Sequence, residues 1–345
     1  MDITAVGVDL AKHVFQIHAV DAQGHTVLRK RLSRSGMVLF FTRLAPCLVG
    51  MEACGSAHYW ARRLASMGHT VKLMAPHFVK PYVKTNKNDM NDAEAICEAV
   101  QRPNMRFVAV KTVEQQSILH LHVSRQLLVK MRTQVSNHLR GLLAEYGLIL
   151  PQGIAHLAEI PALAEDATNE LPGVLRQLLM DMLEHVREID RKIDVMETQI
   201  RKWHRQSDAS QRLAEIPGIG LLTATALVGH IGTNAQGFSS GRHLAAYLGL
   251  VPRQYSSGGK QRLAHISKRG DPYLRTLLIH GARAVVRMCQ GLQRRGPTPI
   301  DPWLEHLLVR KHPNQAAVAQ ANRNARIAWA LLAGNRAYRP PVTAT

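Results

Sequence analysis

From Leu175 to Trp203 the chain places an apolar residue at alternating steps of four and three: Leu175, Leu179, Met182, Val186, Ile189, Ile193, Met196, Ile200 and Trp203. A seam sustained in this register predicts one long helix whose apolar stripe must be covered by another helix. The stripe reads equally as a coiled-coil seam and as the core face of an ordinary bundle. Upstream, Val113 to Tyr146 contains no proline and a single glycine, with Leu119, Val123, Leu127, Met131, Val135, Leu139 and Leu143 at steps of four. That pattern predicts a second amphipathic helix with a drifting stripe. A loop holding Pro151, Gly153 and Pro161 separates the two. Together they predict an antiparallel helical pair projecting from the rest of the chain and able to self-associate.

The helical middle leaves a different kind of sequence on either side. In the N-terminal third, Ile3 to Val8, His13 to Val20 and His25 to Leu32 read as three strands, the last two joined by the turn Asp21-Ala-Gln-Gly24. Tight connections of this kind make an antiparallel meander. Cys47 to Met51 and Thr70 to Met74 read as further strands, with a helix from His58 to Met67 between them, closed by Gly68. Asn91 reads as the N-cap of a helix running to Val100. A three-stranded meander followed by β-α-β-α is the order of a ribonuclease H-like sheet.

Four carboxylates fall where such a sheet would use them. Asp9 follows the first strand, Glu52 follows the fourth, and Asp89 and Asp92 lie three apart at a helix start, able to face the same way. Carboxylates gathered there could hold two Mg²⁺ ions and clamp a scissile phosphate. A single Asp after a strand is more often a turn or cap residue; the weight lies on the set of four.

Charge narrows the partner. Across 345 residues there are 44 Lys and Arg against 25 Asp and Glu, a net charge of +19, and 46% of residues are hydrophobic. That composition excludes a disordered chain and points to a polyanion, either nucleic acid or an anionic membrane. No stretch approaches the ~18 apolar residues of a spanning helix. Met-Asp-Ile-Thr at the N-terminus lacks the basic segment of a signal peptide. Cys47, Cys54, Cys97 and Cys289 form no CxxC pair, which argues for reduced thiols in a cytosolic protein. The sequence therefore reads as cytoplasmic, nucleoid-associated and bound to nucleic acid, without a membrane partner.

The C-terminal third carries two further signals. Leu213 to Ala226 has the form of a helix-hairpin-helix: Pro217 ends one helix, Gly218 and Gly220 permit a tight turn, and Thr223-Ala224 begins the next helix. Exposed backbone N–H groups at such a turn can cradle a DNA phosphate without reading sequence, although a plain αα-corner has the same form. Downstream, Arg253, Lys260, Arg262, Lys268, Arg269 and Arg275 surround the turn Ser256-Ser257-Gly258-Gly259. A serine there could attack a phosphate held by its cations. On chemistry alone, a Ser-Ser-Gly-Gly turn is most often a solvated loop.

Asp9-Leu-Ala-Lys12, Met51-Glu-Ala-Cys-Gly-Ser56, Asn88-Asp-Met-Asn-Asp-Ala93, Ile216-Pro-Gly-Ile-Gly220 and the run from Gly249-Leu-Val-Pro-Arg253 to Leu274-Arg275 occur in this order. In this combination the chain strongly resembles the insertion-sequence transposases with an N-terminal RuvC-like DEDD domain and a C-terminal serine transposase domain, the bridge-RNA-guided recombinases. The resemblance covers about residues 3 to 290. It implies that Asp9, Glu52, Asp89 and Asp92 form a DEDD site for Mg²⁺. It implies that Ser257 is the catalytic serine; family members can carry an acidic residue before it, where this chain has Ser256. It further implies a covalent phosphoserine intermediate on element-end and target DNA, a non-coding guide RNA, and a homodimer or homotetramer whose two domains can come from different protomers.

The expected fold is thus α/β followed by α: a ribonuclease H-like (RuvC-like) mixed sheet, a long helical middle, and a mostly helical C-terminal domain with a helix-hairpin-helix-like turn. The expected domains are 1–110 (RuvC-like), 111–206 (helical, coiled-coil), 207–295 (serine transposase) and 296–345 (a basic helical tail without a placed motif). The leading function is a recombinase of a mobile element. A RuvC-like junction resolvase using water, and a non-enzymatic architectural DNA-binding protein, are the alternatives. Four placed carboxylates argue against the last, because a pure binder of polyanions has no reason to gather negative charge at one sheet edge.

Overall fold

The computed structural model of the chain describes residues 2–84, 88–235, 237–293 and 301–340; the expected domain boundary at 295–296 lies outside them. The chain divides into two compact units, Met1–Glu114 with Asn234–Ser239, and Gln115–Thr233 with Ser240–Thr345.

The first unit is a six-stranded mixed sheet in the order β3-β2-β1-β4-β5-β6. β1 (Ala5–Leu10), β2 (Val14–Val20) and β3 (Thr26–Ser33) form the expected antiparallel meander. After α1 (Arg34–Arg43), β4 (Leu48–Glu52) pairs parallel to β1. After α2 (Ala57–Ala65), β5 (Thr70–Met74) pairs parallel to β4. A short α3 (Pro76–Val79) and then α4 (Asp89–Val100) precede β6 (Phe107–Val108), which returns antiparallel to β5. The sequence did not disclose α1 or β6. α1 mixes Arg, Ser, Gly and Thr among its apolar residues, yet Ser33 caps it by accepting from the Gly36 N–H at 3.1 Å.

Strand alternation sorts this unit into layers. Val6, Val8, Phe15, Ile17, Val49 and Met51 point to one face, where Met37 and Phe41 of α1 and Trp60 and Leu64 of α2 cover them. The other face receives α4, and glycine makes room for it. A Cβ on Gly7 would lie 2.2 Å from the Ala93 carbonyl oxygen, and one on Gly50 would lie 2.7 Å from Val100 Cβ. Gly7→Ala is therefore expected to push α4 off the sheet and cost about 3 kcal/mol, the upper range for overpacking, because the obstacle is backbone. Urea unfolding would measure it, and an unchanged midpoint would refute the close packing.

In the second unit, α5 (Val113–Ala144) and α7 (Gly173–Gln206) run antiparallel, linked by Arg125–Glu197 and Arg132–Asp190 ion pairs, each at 2.6 Å. α6 (Ile160–Glu165) lies in their connection, and Leu139, Leu143, Leu175, Leu179, Leu183 and Val186 form one apolar cluster. The α7 seam is buried much as its heptads predict. The α5 stripe is not: Val123 and Leu127 are 62% and 57% exposed, while Ile118, His122, Ser136, Leu139 and Leu143 are buried. At ~100° per residue, each step of four overshoots a full turn by about 40°, so such a stripe rotates away from any straight partner.

The remainder is built from α8 (Asp208–Ala214), α9 (Leu221–Ile231), α10 (Gly241–Tyr247), the hairpin β7 (Pro252–Gln254) and β8 (Leu263–Ile266), α11 (Pro272–Gln293), α12 (Pro302–Arg310) and α13 (Pro313–Ala333). α13 packs against α11 and α10 through small residues, Ala316, Ala317, Ala321, Ala325 and Ala328. Among the described residues no helix is long and apolar enough to cross a membrane.

One buried polar chain ties three of these helices together. His122 is 1% exposed; its Nδ1 meets the Tyr273 hydroxyl and its Nε2 meets Thr225 Oγ1, both at 2.9 Å. Thr225 directs its own proton to the Leu221 carbonyl at 2.8 Å. Nε2–H must then donate to Thr225, leaving Nδ1 to accept from Tyr273, so the ring is held neutral. Burial, with Arg125 and His230 adding to it, holds its pKa down at about 4. Between that value and the ordinary 6.5 the unfolded chain binds more protons, so His122's contribution is complete above 6.5 and is lost as pH falls toward 4. The full span is worth about 3 kcal/mol. A His122→Gln chain should start less stable and lose less over pH 7.5 to 4.5; parallel curves for the two chains would refute this.

Candidate active site

The carboxylates are placed by strand register. In the parallel pair, Val8 aligns with Met51, so Asp9 and Glu52 are the next neighbours and point to the face occupied by Gly7 and Gly50. Glu52 also pairs with Met74, which packs with Ala95 and Ile96 of α4 on that same face. α4 crosses antiparallel to β1. Cys97 reaches the Ala5 carbonyl, and Ala93 sits over Gly7. One further turn toward its N-terminus carries Asp89 and Asp92 to the carboxyl ends of the strands, the end at which Asp9 and Glu52 stand. The cap of α4 is Asn88, accepting from the Met90 N–H at 3.1 Å, and not the expected Asn91. Both aspartates therefore lie in the first turn, where the helix dipole favours negative charge.

Asp9 and Glu52 act on a common point. The Cys54 thiol is pushed up by burial first, then by Glu52 and by Asp9. Carboxylate oxygens are the donors that hard divalent cations select, so the donor set fits such an ion. The strand register sets Asp9 and Glu52 on one face at one end of the sheet, and Asp89 and Asp92 lie in the first turn of α4. Among the described residues, however, no three His, Cys, Asp or Glu stand close enough to hold one metal ion.

The helix-hairpin-helix turn is wedged on one side and open on the other. Gly218 has φ +86°, and a Cβ there would lie 3.0 Å from the Gly281 carbonyl of α11. Asn324 of α13 donates to the Pro217 carbonyl at 2.8 Å. Gly220 is exposed with open space around it, and it caps α9 without a side-chain bond. The second helix begins at Leu221, two residues before the expected Thr223, because Gly220 already provides the extended cap conformation.

Tyr255 to Arg262 extends the β7–β8 pairing. The Tyr255 N–H donates to the Arg262 carbonyl at 2.8 Å, and the Lys260 N–H to the Ser257 carbonyl at 3.1 Å. Gly258 and Gly259, at φ +55° and +76°, form the two-residue turn that matches strand twist. Directly paired residues share a face, so Ser257 stands with Lys260, and Tyr255 with Arg262, on one side. Ser256 faces the other way, its hydroxyl accepting from the Gln254 side chain at 2.8 Å. The whole tip is exposed.

The motif's remaining cations divide by task. Arg275 donates to the Leu248 and Arg269 carbonyls at 3.2 and 2.8 Å, and Arg253 donates to the Ser267 carbonyl at 3.3 Å. These two build the base of the hairpin. Gly270 belongs to the same base, since a Cβ there would lie 1.8 Å from the Tyr247 carbonyl oxygen. Lys260, Arg262, Lys268 and Arg269 are exposed and make no ion pair among the described residues. Sequence reasoning did not find the supports beneath this region, Asp271 beside His230 at 3.7 Å and the His122–Tyr273 bond. They join residues up to 151 positions apart and carry no local signal.

The profile of the family described as "Transposase IS116/IS110/IS902 family" matches residues 210–296, and that of the DEDD_Tnp_IS110 transposase domain matches residues 6–148. A "Probable family 20 transposase" of Pseudomonas aeruginosa is 49% identical, covering 99% of this chain and all of the relative. The "Transposase for insertion sequence element IS1328" of Yersinia enterocolitica is 42% identical over 95% of this chain and 96% of its own length. The "Transposase for insertion sequence element IS1111A" of Coxiella burnetii is 42% identical over 98% and 92%. A DEDD domain implies a divalent-metal-dependent, nuclease-like site, and a transposase acts on DNA. With a mixed sheet carrying the acidic positions, a mostly helical remainder and relatives matching end to end, the chain belongs to the IS110/IS116 family of insertion-sequence transposases.

Proposed function

We propose that the chain cuts and rejoins the DNA of its element's ends and of the target by attack of Ser257 on a backbone phosphate. The observation carrying this reading is the hairpin tip, which turns Ser257 to the face of Lys260 and Arg262 while Ser256 is tied to Gln254. In the step, a Ser257 Oγ–P bond forms, one P–O bond to a deoxyribose breaks, and the leaving oxygen takes a proton as serine gives one up. Attack by an incoming deoxyribose hydroxyl on the phosphoserine reverses the bookkeeping and releases the serine, so strand exchange needs no outside energy source. Lys260 and Arg262 stabilise charge developing on the phosphate, and Lys268 and Arg269 hold the neighbouring backbone.

Asp9 and Glu52, with Asp89 and Asp92 from the α4 start, are the residues that would hold Mg²⁺. That ion, when bound, supplies Lewis-acid stabilisation of phosphate oxygens. Gly218 and Gly220 form a second, sequence-independent phosphate contact through the open side of their turn. The reading includes a non-coding RNA of the element as the guide for target choice, and a homodimer or homotetramer, because exchange joins strands from two DNA partners. The test is to incubate the protein with element-end DNA, target DNA, the element's RNA and Mg²⁺. A protein–DNA adduct and joined strands are expected; cleavage without any adduct would overturn the serine mechanism.

A further inference from the structure

Two of the chain's four tryptophans, Trp303 and Trp329, line an open groove of about 1060 Å³ in the second unit. Its lining comes from α13, the start of α10, Trp303 at the start of α12, and Leu250, Pro252 and Ile266 at the base of the hairpin. Arg242, Arg323 and Arg326 also line it, and none of its lining residues is acidic. Arg242 and Arg326 are exposed, and Trp303 is 41% exposed.

The Trp303 ring is held in place before anything binds. Asp301 accepts from the Trp303 backbone N–H at 3.1 Å and pairs with Arg323. The Arg323 guanidinium in turn lies 4.7 Å from the indole centroid. A large aromatic fixed on an open surface, in one groove with exposed arginines, is the combination that stacks an unpaired base and neutralises the phosphates beside it. Preorganisation lowers the ordering cost of that binding. A duplex hides its base faces, so the indole favours a single strand.

We propose that this groove binds unpaired DNA, with a base stacked at Trp303 and flanking phosphates met by Arg242 and Arg326. Its position against the base of the Ser257 hairpin argues for the DNA strand being exchanged as the occupant. The assignment to that strand rests on the function proposed above.

The test is anisotropy of a labelled oligothymidylate with the full chain, against a single-stranded RNA and a duplex DNA of equal length. Trp303→Ala should weaken oligothymidylate binding roughly 5- to 150-fold, the range of one lost base–aromatic stack. Trp303→Phe should restore most of it. Arg326→Gln, a change at an exposed position, should lower the log–log salt slope by about 0.7 for its one phosphate. Duplex binding should hardly change. Unaltered oligothymidylate affinity in both Trp303→Ala and Arg326→Gln would overturn the proposal, whether or not RNA binding falls. An equal loss on duplex DNA would overturn it too, since the groove would then be only a positive patch. A changed oligomeric state with unchanged DNA affinity would make the groove a protein interface and also overturn it. The readout is binding, so it can be repeated on Ser257→Ala chains; failure of adduct formation leaves it standing or falling by itself.

Discussion

Ser257→Ala is expected to abolish the covalent adduct and strand exchange while leaving DNA affinity within about twofold, since one neutral hydroxyl adds little beside a cluster of cations. The neighbouring hydroxyl supplies the control. Ser256 points to the opposite face of the hairpin and is already hydrogen-bonded to Gln254, so Ser256→Ala should keep most of the activity. Denaturing gels of labelled DNA ends would show the adduct or its loss. If Ser257→Ala still cleaved at full rate while Asp9→Asn did not, water would be the nucleophile and the chain would act as a resolvase does. Lys260→Ala should fall between these outcomes, slowing the reaction and weakening binding together.

The second large effect is expected at the strand ends. Asp9→Asn and Glu52→Gln keep shape and remove charge, and each should slow cleavage roughly a thousandfold, the scale of several kcal/mol lost from metal-assisted phosphate chemistry. Their stabilities should stay level or rise, because two like charges on adjacent strands repel. Asp89→Asn and Asp92→Asn should also lose activity, yet they should cost about 0.3–1 kcal/mol of stability by removing charge that complements the helix dipole. Calorimetric titration with Mg²⁺ or Mn²⁺ gives a readout apart from catalysis, and all four variants should weaken it. Full activity in Asp9→Asn would remove the DEDD assignment.

Much of the first unit was legible because its information is local. Alternation over β1 to β3 and the short apolar runs of β4 and β5 marked the strands, and the sheet order and parallel register of the fold then made Asp9 and Glu52 neighbours. The invisible parts had weak local patterns. α1 lacks a clean apolar stripe, and β6 is only two residues long. α13 buries mostly alanines, with large apolar side chains only at Leu331 and Leu332, so residues 313–333 read as part of a basic helical tail and not as a core helix with a groove beside it.

What the amino-acid order determined by itself was the inventory: which residues alternate, which repeat by heptads, and in what sequence the acidic and Ser-Gly-Gly motifs arrive. Which cations are tied to the backbone and which stand exposed was decided only by tertiary structure, since Arg275 and Lys260 look alike in a string. One is anchored to two backbone carbonyls and the other stands beside Ser257. The same holds for α5, whose four-residue steps pass for a core stripe until the packing leaves Val123 and Leu127 in solvent. A local pattern states which faces a segment could bury. Only the packing of distant segments, through contacts such as Gly7 on Ala93 and His122 on Tyr273, decides which face is covered and which is left in solvent.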